Sequence, residues 1–417
     1  MDSINLNEKK YIDYYFIILF SVLPISIIIG SSVSLLNILI IDFSFIVYLF
    51  IKKDLSFLKS PTFKILIIFY IYLIFNSLIS LESSYGVYRN LGFIRVIILF
   101  VCFNYFFLKK GFFDKIFIFW LFVLLIIVFD IFYEAYHGHN ILNFDSQGTG
   151  NRRIVSFFKD ELIVGGYLGG FFLLVTGFFL EKKKKLKKKY FIILIPLLFL
   201  FAIVLTGERS NSIRAFLSVI LIIFFFKSFE LKKKIILTSF ILISLSTLIV
   251  SSEFLSVRFI KQFKSAMSPV NNNYFYLYRS GYAVFKEYPL FGVGNKNYRF
   301  VTCDQPSEDE KKKNAILFCS THPHQIYIEF ISEHGLIGFM ILIYLFYKLI
   351  FSKYKILIKD PNYISIGSFL FLIMIFLPII PSGAFFADFN LTIFALNLSI
   401  MYGSNPRLNI FSNNKIK

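Results

Sequence analysis

Long apolar runs alternate with short polar breaks along the whole chain, and the runs are not interleaved with polar positions at every second residue. A membrane-spanning helix needs about 20 mostly apolar residues. Twelve stretches approach that description, at 12–30, 33–51, 62–80, 90–108, 112–136, 161–180, 190–206, 212–227, 235–252, 334–351, 364–380 and 384–402. Runs such as Phe191 to Val204 are apolar on every face, whereas the strands of a membrane β-barrel alternate lipid-facing and lumen-facing residues. The pattern predicts an all-α polytopic membrane protein of about 12 spans. The first run, Tyr14 to Gly30, is too long for the core of a cleaved leader and reads as a retained helix. The one long hydrophilic break divides the chain into nine spans over 1–252, a loop with short helices over 253–333, three spans over 334–402 and a tail over 403–417.

Composition agrees: of 417 residues 57% are hydrophobic and 17% charged, which excludes a large soluble domain. The net charge of +19 would suggest nucleic acid in a soluble protein, but its distribution points to topology instead, and no nucleic-acid partner is expected. Lys9-Lys10, Lys52-Lys53, Lys109-Lys110, Lys182 to Lys185, Lys187 to Lys189, Lys232 to Lys234, Lys353, Lys355, Lys415 and Lys417 all fall in breaks on one side of the predicted spans. By the positive-inside rule that side is cytoplasmic, together with both termini. Lys311 to Lys313 lie opposite, deep in the long loop, where the rule is weak. Arginine runs the other way: Arg89, Arg152, Arg153, Arg209, Arg214, Arg258, Arg279 and Arg299 fall in or beside outward segments, as do His137, His139, His322, His324 and His334. Chemistry is therefore expected on the extracytoplasmic face. Cys303 and Cys319 share the long outward loop, where an oxidising compartment permits a bridge or leaves two free thiols.

Four outward segments combine residue types that carry chemistry. Gly148 to Leu168 takes Arg152, Arg153 and two carboxylates into a glycine-containing helix. Leu205-Thr-Gly-Glu-Arg-Ser-Asn-Ser-Ile-Arg214 is a short hairpin in which Glu208 could neutralise an arginine; alternatively the planar guanidinium forks are free to grip phosphate oxygens in pairs. Tyr278 to Gly294 reads as an amphipathic helix stopped by Pro289 and a glycine turn, with Tyr278, Tyr282, Phe285 and Tyr288 as a packing stripe and Arg279 off it. His322-Pro-His-Gln325 leads into span ten, so His324 falls near a helix N-terminus. There the dipole disfavours the imidazolium and keeps a base ready to accept a proton. Gly335 and Gly338 are spaced for close helix approach. A metal reading of the two His-x-His pairs lacks accompanying cysteines or clustered carboxylates.

Taken together these segments resemble the O-antigen ligase family, which overlaps in sequence with O-antigen polymerases. His324, Gln325, Gly335 and Gly338 match its spaced histidine and glycine motif, with Ile341 departing at a position that is often small or Leu. Leu205 to Ser210 looks like the family's Thr-x-x-Arg hairpin, and Arg279 through Gly294 looks like its loop helix and turn. The resemblance implies a GT-C-like membrane glycosyltransferase, without a cofactor or metal, that takes a glycan from polyprenyl (undecaprenyl) pyrophosphate to lipid A-core on the periplasmic face of a bacterial inner membrane. It implies that Arg209 and Arg279 hold the donor pyrophosphate, with Arg153 and Arg214 as weaker additions, and that His324 deprotonates the acceptor hydroxyl. A polymerase would use the same donor and a lipid-linked glycan as acceptor, and a protein-glycosylating ligase shares the motif. A transporter is the reading from another class. Asp42, Arg95 and Asp388 are its intramembrane suspects, although Arg95 and Asp388 read equally well as a structural pair.

Overall fold

The protein is described by a computed structural model covering residues 6–144, 153–159, 161–182, 194–225, 229–266, 273–303 and 317–412. Residues 148–152, the lysines at 183–185, 187–189 and 311–313, and the Lys415/Lys417 tail lie outside the described residues. Among those described there is no strand. The helices are α1 (Leu6–Ile29), α2 (Ser31–Lys52), α3 (Pro61–Leu78), α4 (Ser83–Leu91), α5 (Ile94–Phe107), α6 (Phe112–His137), α7 (Val164–Lys182), α8 (Leu194–Leu205), α9 (Arg209–Phe225), α10 (Leu231–Ser251), α11 (Glu253–Ser256), α12 (Gln262–Ala266), α13 (Asn273–Glu287), α14 (Tyr298–Cys303), α15 (Ile326–Leu345), α16 (Tyr354–Lys359), α17 (Tyr363–Ile375) and α18 (Asp388–Gly403).

Each of the twelve expected spans contains a helix, and eight helical rods among the described residues are long and apolar enough to cross a membrane. The bundle is layered around α7, of whose apolar window 78% is buried, against 11% for the peripheral α10. Small residues make this possible. A Cβ on Gly170 would stand 2.4 Å from the Ile393 side chain, one on Gly177 2.3 Å from the Tyr363 carbonyl oxygen, and one on Gly367 2.2 Å from the Leu173 carbonyl oxygen. So α7 and α17 meet with their backbones nearly touching, α18 lays the Ile393 side chain on Gly170, and α18 packs in turn on α5.

The largest departure from the apolar pattern is at 376–387. Hydropathy carries one expected span to 380 and starts the next at 384, but α17 ends at Ile375 and α18 begins at Asp388. Pro378 and Pro381 cannot continue a helix, and irregular backbone at such depth survives only where protein or a cavity satisfies it. Here the partners are present. Arg214 donates to the carbonyls of Met374 (3.1 Å) and Pro381 (2.9 Å), Ser382 N donates to the His324 carbonyl (2.8 Å), and Phe385 N donates to both Glu329 oxygens (3.0 Å each).

A second departure is inside α15, which starts at Ile326, leaving His324 just before its N-terminus as expected, and is broken at Gly335, φ 63°. The break opens two amides, and the turn after α13 fills them: Leu336 N donates to the Pro289 carbonyl (2.8 Å) and Ile337 N to that of Leu290 (3.2 Å). In return Val293 N and Gly294 N donate to the carbonyls of Ser332 (3.1 Å) and Glu333 (2.8 Å). A Cβ on Gly335 would lie 2.4 Å from the Leu290 backbone, and one on Gly292 2.4 Å from that of Glu333. Gly335 thus admits a turn rather than another helix, while a Cβ on Gly338 would press on His334 and Tyr72. His334, read as an outward histidine, is fully buried.

Cys303 and Cys319 are joined by a disulfide, with Cα atoms 4.4 Å apart. Asp388 accepts from Arg95 (2.5 Å) and Arg89 (2.8 Å), so the intramembrane pair has a third member that closes the start of α18 onto α4 and α5.

Candidate active site

A cavity of about 660 Å³ opens where the α8–α9 turn, the segment before α7, the π-helical turn at 257–261, the 317–325 segment and the irregular 376–387 stretch converge. Its wall carries Arg153, Arg209, Arg214, Arg258 and Lys296 against two carboxylates, Glu161 and Glu208. Its other side is apolar, from Phe371, Ile375, Phe389, Ile393 and Phe394. The net positive, half-apolar wall suits an amphipathic anion.

The arginines do different work. Glu208 does not pair with Arg209 or Arg214. Instead its buried carboxylate accepts from Gly165 N (2.7 Å) and Gly166 N (3.2 Å), at the first turn of α7, and from Asn211 Nδ2 (2.6 Å). This is the favourable place for a carboxylate. Burial pushes its pKa up, and the Gly165 amide and the Arg153 charge oppose that. The α8–α9 turn is short, so the expected hairpin is already helical at Arg209. Arg209 lines the cavity and makes no hydrogen bond or ion pair among the described residues. Arg214, by contrast, spends its donors on the Met374, Ile380 and Pro381 carbonyls and on Asn211. Its guanidinium holds the irregular segment.

Arg153 is set by its neighbours: Glu134 accepts from Val155 N (3.0 Å) and Ser156 N (2.7 Å), which pins the chain two residues on. Its Nη2 donates to the Leu162 carbonyl (3.3 Å), while its buried Nε has no partner. Arg258, not singled out by motif, donates Nε and Nη2 to the Gly207 carbonyl (3.3 and 3.1 Å) and Nη1 to Gln262 Oε1 (2.6 Å). Burial, with repulsion from Arg153 and Arg209, lowers its pKa to about 10. Gly207, φ 73°, is needed here, because a Cβ would lie 2.7 Å from the Phe254 ring. Arg279 is on the exposed side of α13 and is absent from the cavity wall. The buried side of that helix is Leu277, Ser280, Gly281 and Val284, not the tyrosine stripe, and Tyr282 is half exposed.

His324 precedes the Gln325 cap, whose side chain accepts from Tyr327 N (2.8 Å) and Ile328 N (3.0 Å). It adopts φ 55°, held by Pro323 before it and the Ser382 amide on its carbonyl. Burial lowers its pKa, so the ring is neutral and able to take a proton at neutral pH. The His322 ring lies 3.9 Å from it, centroid to centroid. Burial, then His324, Lys296 and Arg299, bring the His322 pKa down to about 3. Among the described residues no three His, Cys, Asp or Glu side chains gather as a metal-holding group. His137 and His139 sit elsewhere, each with Nδ1 against a backbone carbonyl.

Sequence motifs thus located Arg153, Arg209, Arg214 and His324 on the cavity wall, and missed Arg258, Lys296 and the 376–387 backbone. The only available signal for the last was its pair of prolines within an apolar run.

Fold and cavity define a polytopic helical membrane protein with a cationic, half-apolar site where its loops converge. Residues 164–343 match the family model described as O-antigen ligase, so this chain carries a domain of that family. The match bears out the resemblance over the segment that holds Arg209, Arg214, Arg258, Lys296 and His324, and it associates the chain with ligase- or polymerase-type glycosyl transfer in surface-polysaccharide synthesis. No curated protein matches the chain.

Proposed function

We propose that the cavity transfers a glycan from polyprenyl pyrophosphate to a hydroxyl of lipid A-core, as an O-antigen ligase without a metal. The observation that carries this reading is one cavity whose wall brings together Arg209, which makes no hydrogen bond or ion pair among the described residues, His324 and an apolar face. The polyprenyl chain lies along Phe371, Phe389 and Phe394, and Arg209 with the free Nε of Arg153 takes the pyrophosphate. The acceptor oxygen attacks the anomeric carbon as the bond from that carbon to the pyrophosphate oxygen breaks. The hydroxyl proton passes to His324, and the electron pair leaves with the lipid pyrophosphate. Fixed cations stabilise the charge that accumulates there. Arg258 and Arg214 act by holding the Gly207 turn and the 376–387 segment. The lysine distribution supports cytoplasmic termini and an extracytoplasmic site, and the family resemblance supports a bacterial inner-membrane location with that site in the periplasm.

The test incubates the purified protein and its His324→Ala variant with a polyprenyl-pyrophosphate glycan and lipid A-core and resolves products by mass. Glycan on lipid A-core from wild type alone is the expected result. Longer chains still on polyprenyl pyrophosphate would reassign the protein as a polymerase, and an unconsumed donor would overturn the reading.

A further inference from the structure

The cavity's cations form two groups rather than one. Arg258 feels the charges of Arg153, Arg209 and Glu208, while His322 feels those of His324, Lys296 and Arg299. Lys296 therefore lies near the histidines on the cavity wall. It sits two residues beyond the Gly294 turn that is locked to the Gly335 break, in a left-handed backbone with φ 65°. A lysine in that conformation is strained. Its ammonium lines the cavity without a hydrogen bond or ion pair among the described residues. Beside it His322 presents a buried Nε2 with no partner, while Nδ1 lies 3.0 Å from the Thr321 hydroxyl. With Thr321 donating to Nδ1, Nε2 carries the ring proton and is a second unused donor.

We infer that Lys296 and His322 form an anion subsite for the acceptor, binding a phosphate or carboxylate group on the sugar whose hydroxyl is presented to His324. This rests on the glycosyl-transfer reading above. A substrate that brings a hydroxyl to His324 must fill the space next to it, and among the described residues the unused donors on that part of the wall include the Lys296 cation, the His322 N–H and the Ser382 hydroxyl; of these only the lysine carries the charge that an anion calls for. The site thereby discriminates charged from uncharged acceptors, separately from donor binding. Lys296 also lies within Coulombic reach of the buried Glu329 and Glu333, so a purely structural role is the competing explanation that the experiment must separate.

The experiment uses the full-length protein and three acceptors: intact lipid A-core, the same material after phosphatase treatment, and the same material after carboxyl reduction. Lys296→Asn removes the charge with a residue that tolerates the left-handed backbone, and Lys296→Arg keeps it. Expected for wild type is a KM for one of the stripped acceptors about tenfold or more above that for the intact one, as suits loss of a charged hydrogen bond. Which stripped acceptor suffers identifies the anion as phosphate or carboxylate. Lys296→Asn should raise the KM for intact acceptor by a similar factor, leave the donor KM unmoved and show little further loss on that stripped acceptor. Lys296→Arg should recover most of the affinity. An unchanged acceptor KM in Lys296→Asn, or an equal loss on all three acceptors, overturns the subsite. No transfer by wild type to any acceptor overturns the functional reading and the subsite with it.

Discussion

The family resemblance gave one role to the arginines of two segments, the start of α9 and the helix α13, and the fold places those arginines in opposite settings. The α8–α9 turn is drawn inward by Glu208 on the α7 amides and by Arg258 on the Gly207 carbonyl, which leaves Arg209 on the cavity wall with no hydrogen bond or ion pair among the described residues. In α13 the arginine faces outward, and the helix contributes through its small buried side instead. A Cβ on Gly281 would lie 2.3 Å from Ile328 Cγ2 and 3.3 Å from Pro323, so α13 presses on the segment that carries His324. An arginine in a family-like motif is thus not enough to put its side chain on the cavity wall. The side of the helix that is buried decides.

The largest effect is expected where both segments converge. His324→Ala should lower turnover by about 10²–10⁴ if the ring is the base, in protein that still inserts and accumulates. Because burial lowers the His324 pKa and only the neutral ring accepts a proton, wild-type turnover should rise with pH to a plateau, with its midpoint below the ordinary histidine value of about 6.5. A midpoint at or above that value would contradict the buried setting.

Arg209→Ala should follow, with a loss of about 10²–10³ in turnover, the scale for removing one fixed stabiliser of transition-state charge. Gly281→Val should come next, costing about 1–3 kcal/mol in thermal unfolding by overpacking and lowering turnover with it. Glu208→Gln keeps the shape and weakens the α7 cap by about 1 kcal/mol. Arg279→Ala should change least, within about threefold in turnover, as for a surface substitution. If Arg279→Ala matched Arg209→Ala in a side-by-side transfer assay, the contrast between the segments would fail.

Much of the protein was legible because apolar length is a local property. A helix in a bilayer satisfies its own backbone, so each run announced itself, and lysine placement supplied an expected orientation. The same logic misread 364–402, since a hydropathy window scores Leu377, Ile379 and Ile380 as part of a span, while two prolines and an arginine 160 residues away, bonded to the Met374 carbonyl, go with a helix that ends at Ile375. The burial of His334 was not legible for a related reason: nothing near it in sequence indicates that Tyr72 of α3 and Phe386 of the 376–387 segment lie against it. The Gly335 and Gly338 spacing was visible, but its partner was a turn from another part of the chain.

By itself the sequence determined the helical class, the extent of most helices, the separation of lysine from arginine and the short list containing Arg153, Arg209, Arg214 and His324, because each depends on residues close together in the chain. The tertiary structure alone decided which of those side chains meet. It turned Arg214 to backbone carbonyls, put Arg209 on the cavity wall, added Arg258 and Lys296 and left Arg279 outside, because burial and hydrogen-bond satisfaction are settled between segments that the chain order holds far apart.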